Sequence, residues 1–156
     1  MGIPSHERRS LVEEFAVRGV RLTSQRRVLL EVIQSAKEHL DAASLLRLAR
    51  EKDARVDRAT IYRTLELLKK MGLVDELDLM HLNGEKHYYE LRRDRDHIHL
   101  ACFQCGRIEE YGSPLFERLK QEIARKGGFR IGVVRMEVGG RCSSCLKQPG
   151  VATKTE

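Results

Sequence analysis

Two Cys-x-x-Cys pairs, Cys102/Cys105 and Cys142/Cys145, use every cysteine in this chain and constrain its fold more than any other feature. Two thiolates from each of two distant turns suit tetrahedral zinc, which would staple those segments together. Disulfides and a redox-active dithiol are the rival explanations. Met1 to Arg9 is polar, with His6, Glu7, Arg8 and Arg9 in succession, so no apolar signal segment is evident. A cytoplasmic location is expected, where disulfides are rare. A thioredoxin-like site places one pair at the strand–helix junction of a βαβ unit, whereas two pairs and no such pattern occur here. Cys102, Cys105, Cys142 and Cys145 are therefore expected to hold a structural Zn(II), with a whole helix in the interval between the pairs.

Charge narrows the class of partner. The 156 residues carry 29 Lys and Arg against 23 Asp and Glu, a formal net charge of +6, which favours an anionic partner such as nucleic acid. No apolar run approaches the ~20 residues of a membrane span. An enzyme is not expected: thiolates bound to zinc are poorly available as nucleophiles, and no Ser/His/Asp or Gly-rich phosphate-binding pattern is present.

The first half reads as helices followed by a hairpin. Glu7 to Arg18 is amphipathic, with Leu11 and Phe15 one turn apart, and Gly19 breaks it. Thr23 or Ser24 caps a second helix through Ala36, whose stripe is Val28, Leu29, Val32 and Ile33. Asp41 caps a third, with Ala42, Leu45, Leu48 and Ala49 at helical spacing, and a fourth runs from about Asp57 to Met71 with Gly72 as its stop. Leu73–Leu79 and Lys86–Leu91 are strand-like, with Asn83-Gly84 as the turn signal between them. A hairpin behind such helices is a wing, so residues 1–91 are expected to form a winged helix-turn-helix domain with double-stranded DNA as its partner. The fourth helix is the natural reader. Arg58, Thr60, Tyr62, Arg63 and Thr64 lie off its apolar stripe, and Arg18 and Arg21 are placed to reach phosphate or the minor groove. Arg21, Thr60, Tyr62 and Arg63 are the expected DNA contacts.

The second half reads as a small α/β unit, giving an α+β chain. Arg92 to Asp96 is a charged stretch expected to act as a hinge, followed by a domain over 97–148 and a tail over 149–156. Ile98–Leu100 and Arg107–Tyr111 look like strands. Ser113-Pro114 starts a helix reaching Lys126, with Leu115, Leu119 and Ile123 as its apolar ridge, and Phe129, Ile131 and Val133 alternate into a final strand towards Cys142. Strand periodicity puts His97 and His99 on the face opposite Ile98, Leu100 and Cys102, so imidazoles and thiolates need not share an ion. Imidazoles joined by carboxylates from elsewhere suit a harder, exchangeable ion, Fe(II) or Mn(II), although such donors also accept zinc.

Several segments together resemble the ferric uptake regulator superfamily of metal-dependent bacterial repressors: Thr23-Ser24-Gln25-Arg26, Ala59-Thr60-Ile61-Tyr62-Arg63-Thr64-Leu65, His97-Ile98-His99-Leu100-Ala101-Cys102-Phe103-Gln104-Cys105-Gly106, and Cys142-Ser143-Ser144-Cys145. They run from about residue 10 to 146. The resemblance implies a dimerisation role for the second domain, a homodimer on A/T-rich inverted repeats, and a regulatory metal set on His39, Glu90, His97, His99 and Glu110. A metal held by donors from both halves would fix the hinge and space two reading helices on an operator. His87 is a possible auxiliary ligand, while His81 and His6 read as surface residues.

The chain also departs from the family pattern. An additional metal site found in some members would fall on Asp96, Ile98, Glu117 and Val134, and Ile and Val cannot ligate. Peroxide-sensing relatives prefer Asp where Glu110 stands, which weakens that reading beside the iron, manganese and zinc alternatives. Ser24 replaces a usual proline, a change a helix N-terminus tolerates.

Overall fold

Ser10 begins the first helix, α1 (Leu11–Val17), through a capping box: its side chain accepts from the Glu13 N–H while the Glu13 carboxylate accepts from the Ser10 N–H. The amphipathic segment anticipated from Glu7 thus starts at Leu11 among the residues described, which in this computed structural model are 9–79, 86–92 and 96–147. Two compact units result, Met1–Leu77 with His87–Arg92, and Asp78–Lys86 with Arg93–Glu156.

In the first unit, Thr23 caps α2 (Ser24–Ser35), Asp41 caps α3 (Ala42–Lys52) and Asp57 caps α4 (Arg58–Lys70), each side chain accepting from the N–H three residues on. Gly72, at φ 67, supplies the left-handed residue that ends α4. The helices bury Phe15, Leu29, Leu30, Leu45, Ile61, Leu65 and Leu68 against one another, with Val56 and Val74. Each such side chain contributes about 1.5–3 kcal/mol of transfer free energy.

A three-stranded antiparallel sheet closes the unit, in the order β1 (Leu40–Asp41), β3 (Tyr88–Leu91), β2 (Val74–Leu77). β2 and β3 pair from Val74↔Leu91 to Leu77↔Tyr88, which makes the wing; Asn83-Gly84 lies outside the described residues. Lys69 ties α4 to the wing, its ammonium meeting Glu66 at 2.6 Å and Glu76 of β2, whose carboxylate accepts from Tyr89 Oη at 3.3 Å. Hydrogen bonds donated to the Glu66 and Glu76 carboxylates raise the Lys69 ammonium above its usual range, and burial pushes the Tyr89 phenol up to about 12.

In the second unit, β4 (Ile98–Cys102) is the central strand, flanked by antiparallel β5 (Ile108–Tyr111) and parallel β6 (Met136–Gly140). α5 (Pro114–Gly127), capped by Ser113 and ended by Gly128 at φ 67, makes the crossover, and a single turn, α6 (Ser143–Leu146), follows β6. One expectation is corrected here. Phe129 to Val133 is irregular rather than a strand, because among the described residues no neighbour supplies a ladder there, and Phe129 and Val133 are largely exposed. The apolar ridge Leu115, Leu119 and Ile123 is exposed in this chain, at 69%, 48% and 41%, while Phe116 is buried. Among the described residues no helix is long and apolar enough to cross a membrane.

Candidate metal centres

The four thiols converge. Each Cys sulfur of Cys102, Cys105, Cys142 and Cys145 lies within 4.8 Å of the others, drawn together by the parallel β4–β6 pairing that ends at Cys102↔Gly140. Gly106, at φ 73, turns the first knuckle, and its N–H donates to the Cys102 carbonyl. The Phe103 N–H donates to the Gly140 carbonyl and the Cys142 N–H to Cys102 Sγ, so backbone bonds lock one knuckle to the other. The Cys105 and Cys142 sulfurs stand 3.8 Å apart, and thiolates ~2.3 Å from a tetrahedral zinc would be separated by about 3.8 Å.

Electrostatics already favour thiolate at part of this cluster. N–H groups of Cys142, Cys105 and Gln104 directed at Cys102 bring its thiol down to about 6, and the Cys145 N–H lowers Cys142. Burial pushes the Cys145 thiol up to about 12. Arg141, which the spacing argument missed, joins both knuckles by donating from Nε to Gln104 Oε1 and from Nη2 to the Cys145 carbonyl.

The other donors divide between the units. In the first, His39 Nε2 and Glu90 Oε2 are 2.9 Å apart, with side chains only 8% and 11% exposed. β1 pairing with β3 brings this about: Leu40 lies opposite Tyr89, so the residues flanking that pair meet. His39 is therefore a packed half of a pair rather than a surface or capping histidine. His87 faces Glu76 instead, at 3.5 Å.

In the second unit, His97 and His99 point the same way from β4, with their Nε2 atoms 3.1 Å apart and rings edge-on at 67°. Imidazole nitrogens ~2.1 Å from one ion are separated by roughly 3.0–3.4 Å, so this pair is already spaced for ligation. Glu110 lies opposite His99 across the β4–β5 ladder. His97 and Glu110 line an open groove of about 1090 Å³, whereas His99 is 4% exposed. Asp96 and Glu117, two positions of the additional site considered above, are both paired with Lys120.

On α4, Tyr62 and Arg63 are exposed, and Thr60 is half-buried with Oγ1 donating to Gln25 Oε1 at 3.4 Å. Arg21 is exposed. Thr64 is not an outward-facing group: it is fully buried, and its hydroxyl has no hydrogen-bond partner among the described residues. Arg18 is committed within the unit, Nη1 donating to the Met71 carbonyl and Nε pairing with Glu14.

A winged helix in one unit, with four convergent thiols and a face of imidazole and carboxylate donors in the other, defines a metal-responsive transcription regulator. The model of the ferric uptake regulator family matches residues 17–139. The ferric uptake regulation proteins of Rhizobium leguminosarum bv. viciae and Synechococcus elongatus are 33% identical over 132 residues and 35% over 140, covering 85% and 88% of this chain and 91% and 94% of theirs. Among solved structures, a zinc-bound manganese uptake regulator shares 32% identity at a TM-score of 0.68, covering 86% of this chain and 99% of that one. The Pseudomonas aeruginosa ferric uptake regulator with manganese shares 26% at 0.72, covering 85% and 97%. A zinc uptake regulator complexed with zinc and DNA shares 28% at 0.59, covering 86% and 89%. The chain belongs to the ferric uptake regulator family, whose members are transcription regulators and not enzymes.

Proposed function

We propose that this chain is a metal-gated repressor that binds A/T-rich inverted repeats in double-stranded DNA as a homodimer, sensing Fe(II) or Mn(II). The observation that carries this reading is the sorting of donors: a nearly buried His39–Glu90 pair in the first unit, and His97, His99 and Glu110 on one face of the sheet in the second. On this proposal the five residues hold one ion, and 92–96 is the hinge that they fix between a DNA-binding domain at 1–91 and a dimerisation domain at 97–148. Imidazoles and carboxylates suit Fe(II) or Mn(II), while Cys102, Cys105, Cys142 and Cys145 hold structural Zn(II). The bound ion supplies charge neutralisation and a fixed geometry, and it favours DNA binding only as far as it prefers the closed arrangement, about 1–3 kcal/mol.

The remaining assignments follow from exposure. Tyr62 and Arg63 read base edges from α4, Thr60 supports them, and Arg21 contacts phosphate. The uncovered ridge of Leu115, Leu119 and Ile123, with Met136 and Val138 on β6, is the apolar surface that a second copy would cover. The test is fluorescence anisotropy of a labelled A/T-rich inverted repeat with zinc-loaded protein while Mn(II) is titrated at fixed salt. A steep rise in affinity supports the iron or manganese reading. Response to added Zn(II) alone turns it into a zinc sensor, which the similarity to a zinc uptake regulator makes the second reading. No response to any metal overturns metal gating.

A further inference from the structure

Glu137 belongs to neither donor set, yet β6 places it directly beside one. The parallel ladder pairs His99 with Glu137, and the antiparallel ladder pairs His99 with Glu110, so three residues stand in line across the sheet with His99 in the centre. Register partners share a face, and on β6 Glu137 is half-buried whereas its neighbours Met136 and Val138 are exposed, so the Glu137 face is the covered one. The Glu137 carboxylate also reaches outside the sheet, where Oε1 accepts the backbone N–H of Leu79 at 3.3 Å.

Leu79 is itself unusual. It is fully buried and held at φ 45, in the left-handed region that a branched side chain rarely occupies. Such a residue persists when its surroundings over-determine it, and the bond to Glu137 is one of those constraints. Leu79 follows Leu77, the last residue of wing strand β2, with a single residue between them. One carboxylate thus neighbours a proposed metal donor on one side and the chain leaving wing strand β2 on the other.

We propose that Glu137 is a positioning residue that fixes the His99 ring for metal and passes the metal-bound arrangement to the wing through Leu79. A ligating histidine commonly uses its second ring nitrogen to donate to a carboxylate, and loss of such a partner typically costs 10–100-fold in metal affinity. The inference rests on the regulatory-site reading given above. It adds a residue to that reading and a physical route from metal to DNA.

The experiment compares wild type with Glu137→Ala, Glu137→Gln and the control Glu109→Gln, a carboxylate one residue from Glu110 and so on the opposite sheet face, paired with Arg107. Mn(II) affinity, the Co(II) d–d spectrum of the regulatory site, zinc content and DNA affinity with and without saturating Mn(II) are read on the full chain. E137A lowers Mn(II) affinity about tenfold or more, shifts the Co(II) bands and shrinks the DNA enhancement even at saturating metal, with zinc content unchanged. E137Q, which keeps an acceptor for Leu79, retains more of the DNA enhancement than E137A, and it remains informative where the alanine variant folds poorly. E109Q matches wild type. Wild-type metal affinity and enhancement in both Glu137 variants overturn the proposal while leaving the regulatory site intact. A wild-type protein whose DNA affinity ignores every metal overturns both.

Discussion

His39 and Glu90 are separated by 51 positions, yet their side chains meet at 2.9 Å in a nearly solvent-free contact. Replacing Glu90 by Gln keeps the shape and removes the anion. Its loss weakens the contact with His39 by about 1 kcal/mol and lowers the melting temperature slightly, as a hydrogen bond to a charged group is exchanged for a neutral one. On the proposed function, Mn(II)-dependent DNA affinity disappears in the same variant while one zinc per chain remains. Parallel calorimetry and anisotropy check both parts.

The thiolate centre sets a pH dependence of metal retention. Metal binds thiolate, so protonation competes with it. The Cys102 thiol is drawn down to about 6 by backbone N–H groups, whereas Cys145, pushed up by burial to about 12, loses its proton when metal displaces it. Zinc uptake at pH 7 therefore releases protons into a weakly buffered solution. Release of zinc to a chromogenic chelator accelerates as pH falls, because protons compete with metal for the thiolates, and Cys145→Ser loses zinc at every pH.

Thr64 presents the opposite situation, a buried hydroxyl with no hydrogen-bond partner among the described residues. Exchange for valine removes a desolvated polar atom at nearly constant volume. Thr64→Val should stabilise the chain by about 1 kcal/mol, and the melting temperature should rise by a few degrees. A drop in melting temperature would show that the hydroxyl has a partner in solution.

Asp57 caps α4, and the N–H of Thr60 holds its carboxyl below the ordinary aspartate value of 3.8. Because the folded value is the depressed one, this contribution is fully present above about 3.8 and is lost as pH falls through the folded value. Asp57→Asn keeps a capping oxygen and cancels that pH dependence, whereas Asp57→Ala loses the cap at all pH values. Amide exchange in the first turn of α4, followed from pH 6 to pH 3, separates the two variants.

Leu119 lies mid-ridge on α5 at 48% exposure. A charge there has no core to disturb but blocks association through that face. Leu119→Glu should convert the proposed dimer to monomer in sedimentation at micromolar concentration, leave zinc content unchanged, and weaken binding to a full inverted repeat far more than to a half-site.

Local chemistry was readable from sequence. Thr23, Asp41, Asp57 and Ser113 cap helices because each offers a side-chain oxygen to an N–H nearby in sequence, and Gly72 ends α4 because the turn needs a positive φ. The cysteine spacing likewise announces a cluster. Non-local pairing was not readable: β1 exists only because Tyr88 and Tyr89 pair with it, and the alternation through Phe129 and Val133 has no partner strand to turn it into a ladder. The α5 ridge was correctly seen as apolar, but sequence periodicity cannot say whether the rest of the unit covers it. Arg18 suggested a phosphate contact by its charge, and only the fold reveals the Met71 carbonyl that occupies it. That His39 and Glu90 belong together was suggested by the family resemblance alone, since nothing local links them.

β4 carries His99 at its second position and Cys102 at its end, on opposite faces, about 10 Å apart at the usual rise of a strand. That short stretch acts as a ruler. Adding or deleting a single residue between them would reverse which face one donor presents, so no insertion can be absorbed there by local adjustment. Chain length is as constrained in this interval as the identity of the donors themselves, whereas the irregular run from Phe129 to Arg135, bound to no ladder, can change length without displacing either set.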